Sequence, residues 1–150
     1  KARQRVEEAK DDLQDLMHEA TRALAQETKT LSIGALKDSN RLWHAGYANI
    51  LGMPEFYNID VTTQVLSLLD EVSKLRDLLF RETSNPLEVL FGDEIGWSYF
   101  EPVGMVATRF QIGNTQGCLG VIGPARLPFS YIIPRVRYFG DLVAEVGKGK

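Results

Sequence analysis

A strand that halts on Gly-Pro and gives way to a helix within a few residues constrains this chain more than any other feature. Cys118 to Ile122 is short, apolar and β-branched, and Gly123-Pro124 stops it. From Ser130 the spacing becomes helical, with Ile132, Val136, Phe139, Val143 and Val146 on one stripe. A junction this tight fixes where Arg126 points. That makes the arginine either a structural clamp or a contact point.

The other elements can be read around that junction. Residues 2 to 27 contain neither Gly nor Pro, and Val6, Ala9, Leu13, Leu16, Ala20 and Ala23 recur in alternating steps of three and four. This is a heptad seam, widened at its C-terminal half by Met17 and Leu24. Two readings stand: an amphipathic helix lying on its own sheet, or a helix that also pairs with a second copy through Val6, Ala9, Leu13, Leu16 and Ala20. Leu31, Ile33 and Ala35 alternate with Ser32, Gly34 and Leu36 as a strand, and Lys37 to Asn40 has turn chemistry. Leu42 to Tyr47 completes a hairpin. Asn49 to Asn58 reads as a loop, because Pro54 forbids regular pairing.

Asp60 is expected to cap a helix whose buried stripe is Val65, Leu68, Leu69, Val72, Leu75 and Leu79. Leu87, Val89 and Phe91 alternate as a third strand. In the fourth, Val106, Thr108, Phe110 and Ile112 face away from Ala107, Arg109 and Gln111. Gly113 to Gly117 is a hairpin turn into the Cys118 strand. The order is helix, two strands, helix, three strands, helix. It predicts an α+β fold: about five mainly antiparallel strands in one sheet, a long N-terminal helix, and helices packed on one side. The expected division is a helical linker or dimerisation segment over 1–28, a domain over 29–146 and a frayed tail over 147–150.

Two segments resemble a known family. Gly120-Val121-Ile122-Gly123-Pro124-Ala125-Arg126 is similar to the closing segment of the heat-inducible transcription repressor HrcA family, G-x-x-G-P-T-R-M-D-Y followed by a helix. Gly120, Gly123, Pro124 and Arg126 match it; Ala125, Leu127, Pro128 and Phe129 depart from it. Upstream, Asn49 to Phe56 resembles the family's N-[IML]-L-x-x-P-E-F, with Asn49, Leu51, Pro54, Glu55 and Phe56 in place. The two occur in the family's order, within a similarity running from about residue 30 to residue 146. The resemblance implies a GAF-like sensor fold in a compact version, without the family's helical insertion. It also implies the regulatory and dimerisation domain of a repressor of heat-shock chaperone genes. Such a protein would act as a homodimer kept folded by the chaperonin GroEL. It would bind DNA only through a winged helix-turn-helix, a pattern this chain does not carry. The alternative is a free-standing GAF-type small-molecule sensor.

Charge and chemistry narrow the function classes. A net charge of −3 lacks the clustered cations that phosphate neutralisation needs. One cysteine forms no internal disulfide and fits a reducing, cytoplasmic setting. No apolar run is long enough to span a bilayer, and no signal-peptide pattern precedes the charged start. His18 and His44 share no metal-ligand spacing with Cys118 or a carboxylate pair, so neither metal nor cofactor is expected. Cys118 lies in an apolar strand without an activating base, so no enzyme is expected either. Trp97, Tyr99 and Phe100 could cover the core, line a pocket or anchor an interface.

Overall fold

Two long strands, β4 (Val103–Ile112) and β5 (Thr115–Pro124), form an antiparallel hairpin closed by Gly113 and Asn114, with Gly113 at φ 58°. In this computed structural model, which describes residues 13–81, 85–95 and 102–147 (Asp93 by its backbone only), the hairpin is the centre of the sheet. β1 (Leu31–Leu36) pairs with β5, β2 (Leu42–Ala45) with β1, and β3 (Leu87–Phe91) with β4. The strand order is β2-β1-β5-β4-β3, antiparallel throughout.

Helices cover both faces of this sheet, not the one face expected from sequence. On one side lie α1 (Leu13–Thr28) and α6 (Phe129–Gly147), packed on Leu36, Trp43, Val106, Leu119 and Val121. On the other lie α3 (Ile59–Asp70) and α4 (Val72–Leu79), which bury Val61, Val65, Leu68, Leu75 and Leu79 against Ile33, Met105, Cys118 and Ile122. Strand side chains alternate faces, so neighbouring residues of β4 and β5 feed two separate cores. Both cores are apolar because the central strands are covered twice; β1 is buried at all six positions.

Other departures from the expectations are local. The Asn49–Asn58 loop contains helix α2 (Tyr47–Leu51) and a 3-10 turn (Pro54–Tyr57), and β2 stops at Ala45. Pro54 opens the 3-10 turn, where its missing N–H costs nothing. Asn58, not Asp60, caps α3: its side chain accepts the Asp60 N–H at 2.9 Å. The single helix expected through Leu79 breaks at Glu71, although its apolar stripe runs on across the break. Residues 13–28, the described part of the segment 1–28 expected as a linker or dimerisation helix, pack along the sheet and α6. A four-residue helix, α5 (Gly92–Ile95), follows β3.

Candidate functional site: the junction of two motifs

One end of the sheet gathers the last residues of α1, the start of β1, the end of β2 and the end of β5. Here the chain turns back repeatedly, and the described turns are tied to their neighbours. Lys29, at φ 55°, ends α1 with its N–H on the Ala25 carbonyl at 2.9 Å. The buried Thr28 and Thr30 hydroxyls bond one another at 2.7 Å. Asn49, first residue of the upstream motif, donates its amide to the carbonyls of Thr30 (3.0 Å) and Ala25 (3.4 Å). That clips α2 onto the α1–β1 turn. Gly46, at φ 86°, gives the amide room, since a Cβ there would lie 2.7 Å from Asn49 Nδ2.

The rest of that motif turns one residue inward and its neighbour outward. Phe56 is buried in the α3–α4 core, and its carbonyl accepts the Thr62 hydroxyl at 2.6 Å. Leu51 lies at the surface. Glu55, fixed between Pro54 and Phe56, faces the end of β5. In the second motif, Gly123 and Pro124 close the ladder opposite Gly104 and Val103. Ala125 then donates its N–H to the Pro102 carbonyl at 2.7 Å, and Leu127 turns back into the α1–α6 core. Arg126 is left on the outside of that turn.

The two motifs meet through their charges. Arg126 Nε donates to Glu55 Oε2 at 2.6 Å and Nη2 to Oε1 at 3.2 Å. This is a forked pair. The hydrogen bond from Arg126 holds the Glu55 carboxyl below the ordinary glutamate value. The Arg126 side chain is 63% exposed and that of Glu55 18%, so solvent reaches the pair from the arginine side. Tyr57 and Ile59, each 72% exposed, follow Glu55 in sequence and add apolar surface.

Gly120, mid-strand, is a glycine for a different reason. A Cβ there would stand 2.7 Å from the Val106 carbonyl of the neighbouring strand, which cannot step aside.

The proposed dimer seam falls elsewhere. Leu16 and Ala20 are fully buried under α6 and the sheet, Leu13 packs beside them, and Val6 and Ala9 lie outside the described residues. Leu16 and Ala20 therefore leave no side-chain surface for a second copy. Trp97, Tyr99 and Phe100 are also outside the described residues.

Cys118 is completely buried, and desolvation pushes its thiol up to about 12. His44 is exposed on β2, two strands away, and His18 is exposed on α1. Among the described residues, no group of three or more His, Cys, Asp and Glu is placed to hold a metal ion.

A charged cluster that the sequence reading missed sits beneath α4. Arg109, 8% exposed, donates from Nη2 to Glu88 Oε1 at 2.6 Å and from Nε to the Leu79 carbonyl, while Arg81 bonds Glu88 Oε2 at 2.7 Å. Its only sequence signal was a cation at an inward-alternating position of a strand.

This topology, one antiparallel sheet with helices on both faces, is a GAF-like α+β fold. A crystal structure of a hypothetical protein determined at 2.2 Å resolution shares the fold, with a TM-score of 0.75 at 10% identity over 91% of this chain and 68% of that one. The chain belongs to the HrcA protein C-terminal domain family, whose model matches residues 1–133. It is 31% identical over 144 residues, 95% of its length, to the heat-inducible transcription repressor HrcA of Clostridium botulinum (strain Eklund 17B / Type B), covering 39% of that protein. It is 29% identical over 112 residues, 73% of its length, to that of Syntrophobacter fumaroxidans, covering 32%. The chain thus spans about a third of the length of these relatives. They are transcription repressors, and among the described residues no helix is long and apolar enough to cross a membrane.

Proposed function

We propose that this chain is the regulatory and dimerisation part of a cytoplasmic repressor of heat-shock genes. The observation that carries this is the joining of the two family segments, 71 residues apart, by one forked ion pair at the end of a GAF-like sheet. The segments thereby form a single surface. A repressor reading an inverted repeat must itself be two-fold, and self-association is the task this part would perform. DNA contact belongs to a winged helix-turn-helix elsewhere in the whole protein. GroEL is the partner that would keep the repressor folded, an inference resting on family membership. Heat would act by melting a marginally stable domain within a few degrees, so that the dimer and its operator grip are lost together. Neither metal nor cofactor has a part in this reading.

Light scattering and an operator mobility shift test it. The chain should be dimeric and bind no inverted-repeat operator by itself, whereas a fusion to a family winged helix-turn-helix should bind one as a dimer. A fusion that binds only as a monomer would refute the dimerisation role. A small molecule carried stoichiometrically through purification would favour the ligand-sensor alternative.

A further inference from the structure

Among the described residues, the outer edge of β3 bonds to no other strand, for β3 pairs there only with β4. Antiparallel partners alternate between those that exchange hydrogen bonds and those that do not. The Arg109 N–H donates to the Pro86 carbonyl at 2.8 Å, which places that pair in the bonded set. Two residues on, Glu88 and Leu90 also turn their main-chain groups toward β4. Leu87, Val89 and Phe91 turn theirs outward. The outward Phe91 N–H is held by the Glu94 carboxylate at 3.0 Å. Those of Leu87 and Val89 bond no described backbone group.

Sheet edges are ordinarily guarded by Lys, an internal Pro or a bulge. β3 is Leu-Glu-Val-Leu-Phe in unbroken register and has none of these. Its one charge, Glu88, is already neutralised by Arg109 and Arg81.

We propose that β3 pairs antiparallel with β3 of a second copy about a two-fold axis at Val89, merging the two sheets into one. This rests on the self-association reading above and gives it a location. The strand is its own complement in that register. Val89 and its counterpart exchange both main-chain bonds. On the α1–α6 side, Leu87 comes opposite Phe91; on the α3–α4 side, Glu88 comes opposite Leu90, so like charges never face each other. Phe91 is 40% exposed in the single chain. Beside Leu87, where its counterpart would arrive, a depression of about 320 Å³ opens among Asn85, Pro86, Thr108, Arg137 and Asp141.

Sedimentation of the chain across a concentration series tests this, with Val89→Pro and Val89→Cys alongside. Proline deletes the outward N–H without costing β4 a bond. Val89→Pro should raise the dimer dissociation constant about 100-fold with the circular dichroism spectrum retained. Under oxidised glutathione, Val89→Cys should give a disulfide-linked dimer well before Ser73→Cys, an exposed position on α4, while the native buried Cys118 stays silent. A dimer unmoved by Val89→Pro, or cross-linking no faster than at Ser73→Cys, overturns the β3 pairing and leaves self-association standing. Should Val89→Pro not fold, the cross-linking rate decides. A chain monomeric at every concentration overturns both readings and leaves the edge to an extended segment of another protein.

Discussion

Removing the Glu88 carboxylate isolates one buried charge. The Arg109 side chain is 6% exposed and meets that carboxylate at 2.6 Å. Its Nε is held by the Leu79 carbonyl, while Nη1 has no partner among the described residues. Glu88→Ala therefore leaves a guanidinium beneath α4 with one carbonyl for company. Breaking a buried pair from one side costs about 3–5 kcal/mol. The Arg81 end is 41% exposed and adds little. For a domain of this size, the melting temperature should fall by about 10 °C. Deleting both charges is a different matter. Replacing a buried ion pair with apolar residues of similar volume is often neutral or stabilising. Glu88→Leu combined with Arg109→Met should therefore recover most of the loss. Urea unfolding followed by circular dichroism, run as a double-mutant cycle, measures both terms. A Glu88→Ala cost below about 1 kcal/mol, or a double variant no better than Glu88→Ala, would refute the claim that Arg109 depends on this carboxylate.

Further outcomes are expected. Glu88 is held below its ordinary value first by the Arg81 hydrogen bond and then by Arg109, and Glu55 by Arg126. A lowered folded-state value stabilises above the unfolded value and is lost as pH falls through the folded one, so Glu55→Gln with Glu88→Gln should flatten the stability decline below about pH 4.5 in acid titrations. Gly120→Ala should cost about 1–3 kcal/mol by overpacking against the Val106 carbonyl. Gly52→Ala, with nothing within 4 Å of the new Cβ, should be neutral or slightly stabilising, and equal costs at the two sites would contradict the close-approach argument. Leu16→Asp should unfold the chain, because the residue is core; a folded monomer by scattering and circular dichroism would restore α1 as the interface. Arg126→Ala should cost under about 1 kcal/mol in urea, since the side chain is largely exposed, yet weaken operator binding by the whole repressor; unchanged binding would reduce the Glu55–Arg126 pair to a surface ornament of the fold.

Periodicity and punctuation specify what a residue's neighbours along the chain can decide. The spacing of Ile132, Val136, Phe139 and Val143 marks the buried stripe of α6, and all four are buried. Alternation in β4 separates Val106 and Ile112 from Met105 and Ala107, which enter different cores. Gly113-Asn114 marks the hairpin. The two motifs were legible too, as words in order. Their relation was not. Which helix covers which apolar face depends on how the chain crosses the sheet, and a stripe such as Leu16–Ala20 reads alike whether α6 or a second copy covers it. A charge likewise carries no label for its partner: Arg126 finds Glu55 71 residues away, and Arg109 is buried only because α4 and Glu88 close over it. Local pattern sets what each element must hide. The packing of distant elements alone sets what hides it, because burial and ion pairing are decided by distance in space and not along the chain.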